Sequence, residues 1–475
     1  MHFAKKTYQD DCLSKSRNPA RRVKGESQSS SLPSLAYNEI MTSTHRPVME
    51  LSLPAILSAI YLTSLVSVAS PVGDTPSLDN NYHNTLQSAL ADFSQSLYVQ
   101  LAETSEDENF VFSPLSLHSA LSLLYLGTRD NSSSQQQLGA AMGIINNPQL
   151  LRQSYQQVVQ SYRGQHSFLY GNHIWVGEGF TLKPDYQELV SSQFGSNISS
   201  LDFAGAHPEQ EVNDWIEKMT GGKISNLVDS FSSGTMMFLA NALYFNEKWL
   251  QPFEDKDYTG NPIEEYFYSI TGGKGKKVPM IQQISSKIVY GEIETQNDLL
   301  EVVTIPYENK DFEMQIILPK DVKGLNILED QMKLREEQDD NSHFNLFKAL
   351  KNVYSGYIED IQLRMPKFKL KSKFNAADIL KNLGARDVFT AEAELDKMVE
   401  GGPIGVGKVI HEAVVEVSEE GTKGAAATGV EIVLFSASFG EQKNIVLNRP
   451  FIFIVQDRVN NIPVLVGRVK SPSYS

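Results

Sequence analysis

Glu419-Glu420-Gly421-Thr422-Lys423-Gly424-Ala425-Ala426-Ala427-Thr428-Gly429 lies near the C-terminal end of a 475-residue chain. From Gly421 to Gly429 every residue except Lys423 is Gly, Ala or Thr, side chains too small to anchor a hydrophobic core. Yet the tract sits between two strand-like runs, Val414-Val415-Glu416-Val417 before it and Ile445-Val446-Leu447 after it. A segment that packs weakly but extends without steric objection suits a part that moves. Read as a strand, it alternates faces, so Thr422, Gly424, Ala426, Thr428, Val430 and Ile432 share one side. None of these is charged. Lys423 and Glu431 fall on the other side with Ala425, Ala427, Gly429 and Val433. That division lets a strand slide between existing strands, burying one face and leaving the charges in water.

Working outward, ordered landmarks flank this tract. Asn109-Phe110-Val111-Phe112-Ser113-Pro114-Leu115-Ser116 comes first, then Val212-Asn213-Asp214-Trp215-Ile216 leading into Thr220-Gly221-Gly222-Lys223-Ile224. Asn241-Ala242-Leu243-Tyr244-Phe245-Asn246-Glu247-Lys248-Trp249 with Pro252-Phe253 follows, and then Met365-Pro366-Lys367-Phe368. Beyond the tract stand Asn448-Arg449-Pro450-Phe451-Ile452-Phe453 and Pro463-Val464-Leu465-Val466-Gly467-Arg468-Val469. In this order, over roughly residues 80–470, the chain resembles the serpins, the serine-protease-inhibitor superfamily, and Glu419-Glu420-Gly421-Thr422 with its Ala-rich run resembles their reactive-centre hinge.

The resemblance implies a single α+β domain over residues 80–475, with about nine helices around three β-sheets and an exposed reactive-centre loop. It implies no catalytic site and no cofactor, but a suicide substrate whose cleaved loop inserts as a new strand while the protease is held as an acyl-enzyme. The hinge residues are then Glu419, Gly421, Thr422, Gly424, Ala425, Ala426, Ala427 and Thr428. Counting Glu419 as the first, the seventeenth residue is Phe435, which places the reactive bond at Phe435–Ser436, with Leu434 and Phe439 as rivals. An aromatic residue there fits the hydrophobic primary pocket of a chymotrypsin-like serine protease. Gly424 stands where the family prefers alanine, and Lys423 where it often has an acid. Ser113, Ser116, Asn241 and His411 match the family's buried polar cluster behind the central sheet, and Trp249 matches the tryptophan at the top of that sheet. A non-inhibitory carrier, chaperone or storage protein is the alternative, and it would need a damaged hinge. The segment from Ser132 to Ile145 has no Lys or Arg, so heparin is not expected as a partner, and a monomer is.

Composition agrees with one large domain: 41% of residues are hydrophobic, and residues 80–470 carry no internal repeat or Pro/Gly-rich linker. A net charge of -15 argues against nucleic acid as a partner. Residues 1–48 are Ser-, Lys- and Arg-rich without hydrophobic periodicity and read as disordered. Residues 49–69 then look like a signal peptide, with an apolar run from Leu51 to Ala69 ending in Ser67-Val68-Ala69, a small-x-small cleavage pattern. Met41 or Met49 as the working start would place that run correctly for secretion, and Met41 keeps His45 and Arg46 as a basic flank. A transmembrane anchor is the rival, weakened by Pro54. The single cysteine, Cys12, lies upstream of the cleavage, so the mature extracellular chain would hold no disulfide. Asn131-Ser132-Ser133 and Asn197-Ile198-Ser199 are glycosylation sequons, giving Asn131 and Asn197 as candidate sites.

Enzyme motifs fail on inspection. His411-Glu412 begins like H-E-x-x-H, but position 415 is valine, so the second metal ligand is missing. Gly272-Gly273-Lys274-Gly275-Lys276 lacks the spacing of a phosphate loop, Gly401-Gly402 with Gly405 and Gly407 reads as a turn, and there is no G-x-S-x-G elbow.

Periodicity places these landmarks on elements. Leu86, Leu90, Phe93, Leu97 and Leu101 recur at helical spacing. Ser113 before Pro114 predicts a capped helix running to Leu126. Ala376–Leu383 reads as a helix stopped at Gly384. Phe312–Leu318 and Ile361–Leu370 read as strands, the second with a kink or bulge at Pro366.

Overall fold

In a computed structural model, the structure describes residues 78–144, 147–162, 165, 168–232, 234–269, 275–296, 298–333, 344–353, 360–422 and 443–474. All of them belong to one compact unit, Asp74–Ser475. The apolar run Leu51–Ala69, Met41, Met49, the hinge from Lys423 onward and the Phe435–Ser436 bond lie outside the described residues.

Among the described residues, nine α-helices and three large sheets of six, four and seven strands make a mixed α+β fold, with one two-stranded ribbon besides. The periodic leucines of the first helix, Leu78–Thr104, are buried: Leu86, Leu90, Phe93, Leu97 and Leu101 each expose 5% or less. The next helix, Pro114–Gly127, begins as its sequence requires. Ser113 is extended, its Oγ accepts the Ser116 N–H, and proline fills the first turn, where no donor is missed. Every residue of this helix is buried, because it passes between Ile462–Val469 of the six-stranded sheet and Phe168–Gly177 and Met237–Phe245 of the seven-stranded one. Its three serines and one histidine therefore meet protein instead of water.

The strand expected over Ile361–Leu370 is two strands in two different sheets. Ile361–Pro366 belongs to the four-stranded sheet and Phe368–Asn375 to the seven-stranded one. Pro366 cannot donate to a ladder, so the chain changes partners there. The change of parity at that proline thus marks a crossing between sheets. The helix Ala376–Asn382 ends with Gly384 at φ +100°, a backbone region that suits glycine.

Seven strands make up the largest sheet among the described residues. Lys408–Val417 is its hub. It pairs antiparallel with Phe368–Asn375 on one side and parallel with Met237–Phe245 on the other, and beyond the latter lie Phe168–Gly177 and Asn197–Leu201. The parallel pairing runs from Lys408↔Phe238 to Val414↔Tyr244 and stops. Past that point the two strands part.

Candidate functional site

The gap above Val414 and Tyr244 is filled by the hinge itself. Gly421–Thr422 forms a two-residue strand that pairs antiparallel with Val417 on one side and with Glu247–Lys248 on the other. Ser418 N–H donates to Gly421 O at 3.0 Å, closing the hairpin that turns the chain back into the sheet. Glycine is required at the first position because a Cβ there would lie 2.3 Å from the Glu247 carbonyl oxygen. Thr422 is fully buried, and its Oγ1 is 2.7 Å from the Tyr307 hydroxyl.

Trp249 roofs this seat. Its backbone N–H donates to Glu420 O at 3.0 Å and its indole N–H to Ser418 O at 2.9 Å. Its ring stacks on Tyr307 with centroids 4.6 Å apart and planes 8° from parallel. Phe253 N–H donates to Glu419 O at 2.8 Å. Glu419 also pairs with Lys367, whose Nζ is 2.7 Å from Oε2 and 3.2 Å from Asp255 Oδ2. Burial works against the Lys367 charge, but the bonds to Glu419 and Asp255 outweigh it and hold the ammonium above its ordinary pKa. Two hinge residues, Glu419 and Thr422, are therefore each fixed by a side chain from elsewhere in the chain.

Lower down, under the closed part of the sheet, the polar residues singled out in the sequence meet. Ser113 N–H donates to His411 Nε2 at 3.0 Å, which leaves the ring proton on Nδ1, donated to Asn241 Oδ1 at 2.5 Å. Asn241 Nδ2 reaches Ser116 O at 2.9 Å and Ser116 Oγ at 2.6 Å. Asn241 and His411 are directly opposite across the parallel pair Met237–Phe245/Lys408–Val417, so this network ties together the two strands and the buried helix. Burial drives the His411 pKa down to about 3, and the imidazole is neutral.

Several members of these clusters carried no sequence signal. Asn241 also donates to Asn172 Oδ1, and Asn172 in turn reaches Ser119 and Ser196. Asn172 stands beside His173 in the strand Phe168–Gly177 with no motif around it. Tyr307 follows Ile305-Pro306 with no motif around it, and Lys367 stood in a quoted motif without an assigned role. Asn131 and Asn197 are exposed, Asn131 in the left-handed conformation at φ 59°. Among the described residues no group of three or more His, Cys, Asp or Glu could hold a metal, and no helix is long and apolar enough to cross a membrane.

The architecture is that of a mixed α+β protein whose seven-stranded sheet is parted at one end around the start of a loop. The model of the family "Serpin (serine protease inhibitor)" matches residues 88–472, and the chain belongs to the serpin family. It is 30% identical over 396 residues to Iris of Ixodes ricinus, covering 81% of this chain and 99% of that one. It is 29% identical over 399 residues to a serine protease inhibitor of Rattus norvegicus, covering 82% and 89%. Among solved structures, human thyroxine-binding globulin complexed with thyroxine superposes with a TM-score of 0.70 at 21% identity, covering 83% of this chain and all of that one.

Proposed function

We propose that this serpin is a secreted, monomeric suicide-substrate inhibitor of a chymotrypsin-like serine protease. The protease serine attacks the Phe435 carbonyl, the Ser436 amine leaves, and the acyl-enzyme is held while the loop from Thr422 to Ile432 enters the seven-stranded sheet. The observation that carries this reading is the seated hinge: Gly421–Thr422 is already paired on both sides at the parted end of the sheet. Continuing its register brings Gly424 beside Val415, Ala426 beside Ala413, and Thr428 between His411 and Asn241. Insertion then unzips the two strands from the parted end downward and exchanges the His411–Asn241 bond for contacts to Thr428. The inward residues are Thr, Gly, Ala and Thr, so no charge has to be buried on the way.

The driving force is a ladder of backbone hydrogen bonds that the intact protein leaves unmade. About ten such bonds at roughly 1 kcal/mol each correspond to a rise in melting temperature on the order of 20 °C. The exposed sequons fit glycosylation at Asn131 and Asn197, in keeping with the apolar leader at Leu51–Ala69. A carrier role would need a damaged hinge, and Gly421–Thr422 is paired on both sides.

Incubation with chymotrypsin tests the reading directly. An SDS-stable complex is expected, with a released C-terminal peptide beginning at Ser436. Cleavage without a complex, together with no gain in melting temperature, would reject it.

A further inference from the structure

We infer that Tyr474, in the segment that follows the strand Ile462–Val469, is a positioning residue for the hinge: it holds the Lys367 ammonium against Glu419 and so helps keep Gly421–Thr422 in its seat. The consequence for trapping rests on the function proposed above, whereas the contact itself does not.

This segment is fixed before it reaches the hinge. Asn109 Oδ1 accepts the Lys470 N–H at 2.7 Å and the Ser471 N–H at 3.0 Å, and Asn109 Nδ2 donates to Ser471 O at 2.6 Å. Pro472 is buried. The strand Phe368–Asn375 has one strand partner, Lys408–Val417, among the described residues, and its Lys369 N–H donates to Ser473 O at 2.9 Å. Ser473 thereby satisfies a backbone donor at the margin of the sheet.

From that anchor Tyr474 meets the end of the sheet where the hinge begins. Its hydroxyl donates to Glu416 Oε1 at 3.3 Å, and Lys369 Nζ lies 3.7 Å from Oε2 of the same carboxylate. Lys367 Nζ is 5.9 Å from the centroid of the Tyr474 ring, within reach of a cation–π attraction. That ammonium is the one that pairs with Glu419 and Asp255. Tyr474 thus touches both the partner of Glu419 and Glu416, three residues before it in the chain. Burial and the charges of Glu416 and Glu419 push the Tyr474 phenol up, with Lys367 opposing them, so the hydroxyl keeps its proton and donates.

Exposure explains why the ring matters. The Glu419 side chain is 37% exposed and that of Lys367 13%. An ion pair open to water contributes little, because solvent screens it and two long side chains must be held in one geometry. A ring beside the ammonium excludes water from one side and limits where the lysine can go. Glu419 O accepts the Phe253 N–H and Glu420 O the Trp249 N–H, so a loosened Glu419 is felt first at those two amides.

Hydrogen exchange in the full-length protein reads this out at Trp249 and Phe253. Tyr474→Ala should speed exchange at both amides several-fold and leave the denaturant midpoint and the exchange of Met237–Phe245 as in wild type. Tyr474→Phe, which keeps the ring beside Lys367, should retain most of the protection. In a Lys367→Met background, or Glu419→Gln should that variant not fold, Tyr474→Ala should add nothing further, whereas a merely structural role would make the two changes additive. Unchanged exchange in Tyr474→Ala, or additive effects, would overturn the inference. With chymotrypsin, the number of inhibitor molecules consumed per enzyme should rise a few-fold for Tyr474→Ala. If wild type traps no protease, the proposed function fails, and the exchange measurement still decides the role of Tyr474.

Discussion

Replacing Thr422 separates the hinge's seat from the rest of the machinery. Two substitutions of opposite kind are informative. Thr422→Val keeps the shape and removes the hydroxyl, so Tyr307 loses its 2.7 Å partner in a fully buried site. An orphaned buried hydroxyl costs about 1–3 kcal/mol, and the backbone pairing to Val417 and Glu247 stays. Thr422→Arg places a guanidinium in a space closed around a threonine, under the stacked Trp249–Tyr307 pair. The seat is held by a few backbone hydrogen bonds at roughly 1 kcal/mol each plus the hydroxyl contact, on the order of 3–5 kcal/mol in all. Burying a charge there, and shifting the rings to make room for it, costs at least as much, so the arginine hinge stays out. If the same 3–5 kcal/mol is added to the insertion barrier, the step slows by about 10²- to 10⁴-fold. Insertion then loses its race with deacylation. The assay is the stoichiometry of inhibition against chymotrypsin, with circular dichroism verifying the fold. Wild type should trap near one to one, Thr422→Val within a few-fold of that, and Thr422→Arg should be consumed as a substrate at ten or more per enzyme. Should Thr422→Arg trap as efficiently as wild type, entry at Thr422 would not be the committing step, and the reasoning from the seated hinge would be wrong.

Three further outcomes follow from the same geometry. Asn241→Ala deletes the donor to Ser116 O and Oγ and the acceptor for His411 Nδ1–H, a loss of roughly 3 kcal/mol or more; native gels after mild heating should show polymers, and a variant that stays monomeric and inhibitory would deny the cluster its role. Gly421→Ala forces a Cβ to 2.3 Å from Glu247 O, so limited proteolysis of the hinge should speed up several-fold, and unchanged cutting would mean the seat tolerates a side chain. His411 and His118 are held neutral by burial, with pKa values near 3 and 4, below the unfolded value of 6.5. Their contribution is complete above pH 6.5 and is lost as pH falls from there toward the folded values, because the unfolded chain takes up the protons first. At pH 5 each should cost about 2 kcal/mol relative to pH 7.5, visible as a drop in the denaturant midpoint, and a flat profile over that range would contradict it.

The small-residue tract was easier to read in the sequence than the frame around it. Glu419-Glu420-Gly421-Thr422 and its small-residue tract are local, and strand parity needs no partner to be read. Ser113 announced its helix because capping is also local. The partners of the hinge are not. Thr422 sits between residues 247 and 417 and touches Tyr307, three segments whose meeting depends on sheet topology. Asn172 was silent for the same reason, since its value lies in lying behind Asn241 on the next strand.

Parity alone is also silent on what covers each face of a strand. A period of two tells which side chains share a side, but not what lies over that side. Here Val212 and Ile216 of the helix Pro208–Met219 share a buried cluster with Ile410 and Val414 of Lys408–Val417 and with Ala240 and Ala242 of the neighbouring strand, so that side of the sheet is dry at these positions. Alternation along Lys408–Val417 tells which side chains share a face, and only the packed helix tells that both faces are buried there.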